Sequence, residues 1–408
     1  MVKKRVLYAI IAIAVVTAAV SMVKNTKSAA NLSIVEYNGP VEYDELPKDC
    51  LAILSDDFAV CKAVVDLEPN STMQYPKQKE SLYLYNIKTR SKENISNSPE
   101  GYVSLGHILS NDNLFWIEQY VNRENVISGK WEIKKYNIKS KYLTTIDSGK
   151  FDNFQKYSYD DINFSDKNML FPMNLDIANN KMVYNRVSDD GSNLNFEIVL
   201  YDIQSSESKV IATGKNHVSE YYYDVAVSDK YVLYNKYHEK NDDKQLRATT
   251  YKYCDLYAYD IENGKTKQIS ENDFFINLDL NNDYFLAVRV PETDKNKPQT
   301  AFAKMKVYMI EIKTSLGGDV VNYKSPIYQN KEDLNIGNPT FTGNYIAWQD
   351  YGATTHMHIY NYAKKYFVKI PEANSEGSFS IVGANDDNLL VSELTKEDAY
   401  KLYRVKIE

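Results

Sequence analysis

The chain has 408 residues, 43% hydrophobic and 25% charged, which is enough apolar material for one large domain or two to three smaller ones. Its formal net charge is −7, and because residues 1–30 hold five basic and no acidic residues, the remainder stands at −12. A domain that acidic, with Lys far outnumbering Arg, lacks the electrostatic footprint of a nucleic-acid binder, and that class is excluded.

In chain order, residues 1–30 come first. Lys3, Lys4 and Arg5 precede 18 uncharged residues, Val6 to Val23. That length is the lower edge of a membrane span and the upper edge of a signal-peptide core. Ala19-Val20-Ser21 and Ser28-Ala29-Ala30 each offer small residues at the spacing a signal peptidase accepts. The basic flank places the start in the cytoplasm and the rest outside. Residues 1–30 are therefore expected to be a signal peptide or an N-terminal hydrophobic helix anchoring the chain, and 31–408 an extracytoplasmic domain, secreted or held by residues 6–23. Of three cysteines, Cys50, Cys61 and Cys254, the first two can pair. A core of this size does not need the bridge, and buried free thiols are the expectation.

From residue 50 onward one pattern repeats: an alternating strand ending in Tyr-Asp/Asn-Ile. Its copies are SLYLYNI (81–87), EIKKYNI (132–138), EIVLYDI (197–203) and DLYAYDI (255–261). Looser copies stand at 306–312, 356–362 and 401–407. Before each lies an Asn/Asp/Gly turn and a mostly apolar strand, at 55–64, 111–120, 178–187, 228–237, 281–290, 342–351 and 385–394. After most copies comes a short polar turn and a further strand; in the fourth copy Asn263-Gly264 is expected to supply the positive φ of a tight hairpin. Short β-prone runs such as YYYDVAV (221–227) complete each unit at about four antiparallel strands in some fifty residues, the unit of a propeller blade.

The fold class expected is all-β: a seven-bladed β-propeller of four-stranded antiparallel blades. The long stretch 147–176 leaves six or eight blades open. The seventh unit stops at Glu408 after its third strand, and LSIVEY (32–37) is a spare β-run. It is expected to supply the missing outer strand, so that N- and C-terminal strands close the ring. The unit resembles the TolB-like (WD40-like) propeller repeat, which also builds the propeller of dipeptidyl-peptidase-IV-type enzymes, over residues 50–408. The Ser-Pro-Asp-Gly turn of that repeat is replaced here by VSDKY, LNNDY or FTGNY, and no peptidase domain is expected to accompany the propeller.

Catalytic signatures are missing from the sequence: no Gly-x-Ser-x-Gly elbow, Walker loop, dinucleotide-binding glycine set or His-Glu-x-x-His. No catalytic, cofactor-binding or metal residue is assigned and no cofactor is expected. His356 and His358, two apart in a strand and so on one side, are the best metal candidates, but no third ligand is identifiable. Asp279 to Asp283 has the rhythm of a calcium loop but Tyr284 and Val290 at its required Gly and Glu positions, and reads as turn chemistry. Trp116, Trp131, Trp348, Tyr351 and Tyr221 to Tyr223 read first as packing and second as a platform for sugars or peptides. Insertions at 64–81, 238–253 and 290–305 occupy the same connection in three blades, and loops on one rim are where such folds bind. The expected function is an exported, non-catalytic scaffold for an unknown envelope protein or glycan, touching the membrane only through residues 6–23. The alternative is a carbohydrate- or peptide-active enzyme with its site at the channel mouth.

Overall fold

The computed structural model describes residues 34–36, 41–66, 78–120, 129–151, 173–189, 194–215, 222–238, 253–271, 273–290, 305–312, 326–329, 335–351, 356–369, 378–385, 388–394 and 400–407. The chain opens with β1 (Ile34–Glu36) and β2 (Val41–Leu46). Blade 1 is β3 (Cys50–Ile53), β4 (Phe58–Asp66), β5 (Gln78–Asn86) and β6 (Ser91–Asn97). Blade 2 is β7 (Tyr102–Ser110), β8 (Asn113–Tyr120), β9 (Gly129–Asn137) and β10 (Tyr142–Phe151); blade 3 is β11 (Leu175–Ala178), β12 (Lys181–Asp189), β13 (Leu194–Asp202) and β14 (Ser208–Lys215). Blade 4 holds β15 (Tyr222–Val227), β16 (Tyr231–His238), β17 (Tyr253–Asp260) and β18 (Lys265–Gln268); blade 5 holds β19 (Phe275–Leu280), β20 (Tyr284–Arg289), β21 (Lys306–Glu311) and β22 (Tyr328–Gln329). Blade 6 follows with β23 (Asn335–Thr342), β24 (Tyr345–Tyr351), β25 (His356–Asn361) and β26 (Tyr366–Lys369), and blade 7 with β27 (Ser378–Asn385), β28 (Asn388–Leu394) and β29 (Tyr400–Ile407).

Every predicted second and third strand falls on its element. The first strands contact one another in order round a circle, and β27 meets β3 to close it. A buried apolar cluster fills each of the seven seams. Trp116 and Tyr136 meet Leu82 and Leu84 between blades 1 and 2, while Leu390 and Leu402 meet Ala59 and Tyr85 between blades 7 and 1. Neither face of a four-stranded sheet stays dry alone, and stacking in a ring is what covers both.

The recurring Tyr-Asp/Asn-Ile has a structural meaning at each position. The tyrosines Tyr85, Tyr136, Tyr201, Tyr259 and Tyr360 are buried at 3–8% exposure in the seams. The next residue's carboxyl or amide oxygen caps the outer turn: Asn86 accepts from Thr89 N–H, Asn137 from Ser140, Asp202 from Ser205, Asp260 from Asn263 and Asn361 from Lys364. The third residue's N–H donates to the turn between the blade's first two strands, as Ile87 to Asp57, Ile138 to Asp112, Ile203 to Asn180 and Ile261 to Lys230. The motif stitches inner and outer turns together. The Asn-Gly expectation is half right: residues 261–264 form a four-residue turn in which only Gly264 is left-handed, at φ 65°. Arg90, Lys141, Ser206 and Lys365 hold similar positive φ in the equivalent turns. The local turn geometry is set by the capping side chain rather than by glycine.

One expectation is corrected. The strand that completes blade 7 is β2, antiparallel to β29 from Val41↔Ile407 to Leu46↔Leu402. Within the spare run 32–37, β1 instead lies parallel to β26 as a fifth strand on blade 6. Arg404 of β29 forms an ion pair with Asp44 of β2, which helps fix the register. A second correction concerns the thiols. Cys50 and Cys61 sit directly opposite across β3 and β4, with Cα atoms 3.8 Å apart, and are joined as a disulfide. Cys254 is free and fully buried; burial, then the charges of Asp224 and Asp255, hold its thiol well above the usual range.

Because strands alternate in direction, connections from first to second and third to fourth strands emerge on one rim, called here the turn rim. Connections from second to third strands and from blade to blade emerge on the other, the loop rim. Residues 67–77, 239–252 and 291–304, inside the three long insertions, lie outside the described residues. The strands that flank them place their ends on the loop rim.

The tryptophans are packing. Trp116, Trp131 and Trp348 are at most 1% exposed, while the side chains of Tyr351 and of the run Tyr221 to Tyr223 lie outside the described residues. Trp131 donates its indole N–H to Val187 O of blade 3 at 2.9 Å, and it lies over Gly149, its partner across β9 and β10. A Cβ on Gly149 would stand 2.5 Å from the indole. Gly149→Ala is expected to cost about 1–3 kcal/mol through overpacking, read as a lower midpoint in urea with an unchanged slope.

Candidate functional site

Two sets of polar groups stand out from the apolar seams. The first lies on the inner strands. Asp176 on β11, Asp224 on β15 and Asp279 on β19 come from three consecutive blades, and each reaches the inner strand of the next. Asp176 Oδ2 accepts Val227 N–H at 2.7 Å, Asp224 Oδ2 accepts Asn277 N–H at 2.6 Å, and Asp279 Oδ2 accepts Phe341 N–H at 2.7 Å and the Thr340 hydroxyl at 3.0 Å. Asn277 stands at φ 55° in a bulge where β19 slips against β20, so the Asp224 carboxyl secures an N–H that the ladder leaves out. β7, β15, β23 and β27 carry similar register shifts.

The walls around these carboxyls disfavour charge. Burial, then the charge of Asp279, pushes Asp176 up to about 7, against the pull of its bonds from Val227 and Ile177. Burial pushes Asp224 up to about 6 and raises Asp279 as well. On blade 2, burial and then the positive Lys62 drive His107 down to about 3, so its ring is neutral at physiological pH. Its Nε2 has no partner among the described residues. The sequence reading leaves out Asp176 and Asp224 and takes Asp279 only as the start of a turn, although a signal is present: the three recur in the first-strand slot 48 and 55 residues apart.

The second set sits in the seam between blades 5 and 6, next to the loop rim. The register puts His358 opposite Trp348 and His356 opposite Asp350, so all four share one face of blade 6. Asp350, 3% exposed, accepts through Oδ2 from the Tyr328 hydroxyl of blade 5 at 2.5 Å and pairs with His358 Nε2 at 3.0 Å. The His358 ring stacks on Trp348 at 5.4 Å and meets Tyr328 at 4.6 Å. The two candidate histidines thus keep the expected side, but His358 is tied to a buried carboxylate within an aromatic cluster. Among the described residues no three His, Cys, Asp or Glu side chains are grouped to hold a metal ion. The Asp279–Asp283 segment behaves as a turn: the Asn281 side chain accepts from Asp283 and Tyr284 N–H.

The repeat supplies an internal comparison for this seam. Blade 2 has Trp116 and Glu118 where blade 6 has Trp348 and Asp350. Glu118 accepts the Trp116 indole N–H at 3.3 Å and is held by Ser96 and Ser98 of the preceding blade. Asp350 is one methylene shorter, and both Trp348 Nε1 and Asp350 Oδ1 are buried without a partner among the described residues. Asp350→Glu is expected to join them and stabilise the protein by about 1 kcal/mol, measured by urea denaturation. An equal loss would show that the longer side chain cannot be housed.

Fold and seams together define a seven-bladed β-propeller of four-stranded antiparallel blades, nearly all β. No family model matches the sequence, and no curated protein matches it. Solved structures do. The β-propeller domain of the Trilobed protease from Pyrococcus furiosus superposes with a TM-score of 0.55 at 14% identity, covering 89% of this chain and 95% of that one. Pyrococcus horikoshii acylaminoacyl peptidase gives 0.54 at 11% identity over 86% of this chain. An acylaminoacyl peptidase in complex with Z-Gly-Gly-Phe-chloromethyl ketone gives 0.55 at 11% over 87%. The chain spans 50% of each of those two peptidase chains. At such identities the likeness is one of fold. The first of these propellers is described as having an open velcro topology, whereas all six residues of β2 pair with β29 here.

Proposed function

We propose that this protein is an exported, non-catalytic propeller that binds an envelope protein or glycan through its loop rim. The observation that carries the reading is the placement of the strands that flank the three long insertions: each insertion joins a second to a third strand, and those strand ends all lie on one rim of the ring. The apolar segment 6–23 behind a basic flank supports export.

Capture from envelope extract, with the full chain as bait, tests it. A second bait has residues 67–77, 239–252 and 291–304 each replaced by a short Gly-Ser linker. One protein or glycan recovered by the first bait and lost with the second is the expected result. Equal recovery by both, or none by either, overturns the reading.

One observation favours the second reading, an enzyme acting on polysaccharide or peptide at the channel. Asp176, Asp224 and Asp279 bring carboxyls from three blades onto neighbouring inner strands. Their bonds to the next blade's backbone support a stitching role instead, and that weighs toward binding.

A further inference from the structure

The disulfide lies in the seam where the two ends of the domain meet. Cys50 and Cys61 of blade 1 are 5% and 0% exposed. They share an apolar cluster with Leu46, Tyr85 and, from blade 7, Leu390 and Leu402. Leu390 belongs to β28, and Leu402 belongs to β29, where it pairs with Leu46 of β2. Blade 7 is therefore the cover over the bridge, and it forms only when residues 388–407 are in place.

Cys50 also stands at the root of the closing strand. It starts β3 just after β2 ends at Leu46. Its N–H donates to Pro47 O at 3.0 Å, and Lys62 N–H, next to Cys61, donates to Asp49 O at 2.7 Å. The bridge fastens this root to β4 inside blade 1. Arg404 of β29 holds the other side of the seam, pairing with Asp44 of β2 and donating to Asp56 O at 2.8 Å. Covalent bridge and ring closure meet in one place.

Thiol–disulfide exchange needs a thiolate in contact with a sulfur. Sulfurs this enclosed are out of reach until something opens. Parting one seam is a smaller event than unfolding the ring, because the other seams stay packed. We propose that the Cys50–Cys61 bridge is made on the open chain, before blade 7 docks, and that the shut seam then seals it. Ring closure thereby decides when these two residues exchange with other thiols. In the forming step one cysteine thiolate attacks a disulfide donor of an oxidising compartment and expels one donor thiolate. The second cysteine thiolate displaces the remaining donor sulfur from the mixed disulfide. Two electrons and two protons pass to the donor, which leaves as thiols.

The test follows reduction of the bridge by dithiothreitol in the folded full chain, with the urea midpoint of each variant measured alongside. Arg404→Ala loosens the closing seam. Ile198→Val, at a 0% exposed position deep in blade 3, weakens the ring far from it. Arg404→Ala is expected to speed reduction about tenfold, and Ile198→Val by less than about twofold, although both lower the midpoint. Arg404→Gln, which keeps a donor for Asp56 O, is run beside them and is expected to fall between. Acceleration by Arg404→Gln and Ile198→Val in proportion to their losses of stability means that exchange waits for the whole ring to unfold, and overturns the proposal. So does wild-type reduction as fast as that of oxidised glutathione in the same buffer. In a second arm, reduced chain refolded before oxidised glutathione is added is expected to form the bridge about tenfold more slowly than chain refolded in its presence. Equal rates overturn the order of events.

Discussion

Asp176→Asn is expected to make the protein more stable at pH 8 and to leave it nearly unchanged at pH 4. The wild-type carboxyl titrates near its ordinary value in the unfolded chain but at about 7 in the ring. Between those values the folded state holds more protons than the unfolded one, so stability from this group is complete below pH 4 and lost as pH rises through 7. The amide keeps an oxygen for the Val227 N–H and removes the repulsion from Asp279. Full linkage for such a displacement is about 4 kcal/mol, and half of that, about 2 kcal/mol, is a fair expectation for a side chain that is not wholly enclosed. Urea unfolding of both proteins at pH 4, 6 and 8 reads it directly. A constant gap across that range would show that the carboxyl carries its charge in the fold at no cost.

The largest effect is expected at the closure. Removing residues 1–47 takes away β2, leaves the β29 edge bare and deprives Arg404 of Asp44. Removing residues 1–38 takes only β1 from the outside of blade 6. Six ladder positions at roughly 1 kcal/mol each put the longer deletion on the order of 5 kcal/mol down, enough to unfold or aggregate a protein of ordinary stability. The shorter deletion is expected to shift the melting midpoint by only a few degrees. Equal behaviour of the two truncations would mean that pairing between the chain's ends contributes nothing to holding the ring.

Much of the fold was legible because the blade is written seven times. Tyr-Asp/Asn-Ile is visible in one dimension because each of its residues acts on neighbours a few positions away or on the adjacent strand. The closing strand was misread for a physical reason. LSIVEY looks more like a strand than VEYDEL, but an outermost strand needs little apolar character, and Asp44 is wanted there for Arg404. The candidate sites were less legible. The Asp224 bond spans 53 residues and the Asp279 bond 62, so nothing local marks these aspartates as stitches. Asp350 looks like one acid among many until the seam brings Tyr328 and His358 to it. The histidine pair was noticed, but not the carboxylate one register step away.

The pairing of Val41 with Ile407 makes the first and last parts of the domain each other's only completion of blade 7. Sequence separation that large is the slowest kind of contact to form, since it must wait for the whole chain. If the domain is exported N-terminus first, as proposed above, it spends its transit with β2 waiting and six blades unable to close. Its vulnerable moment is set by the time taken to deliver residue 407, and folding helpers on the far side have that interval in which to act.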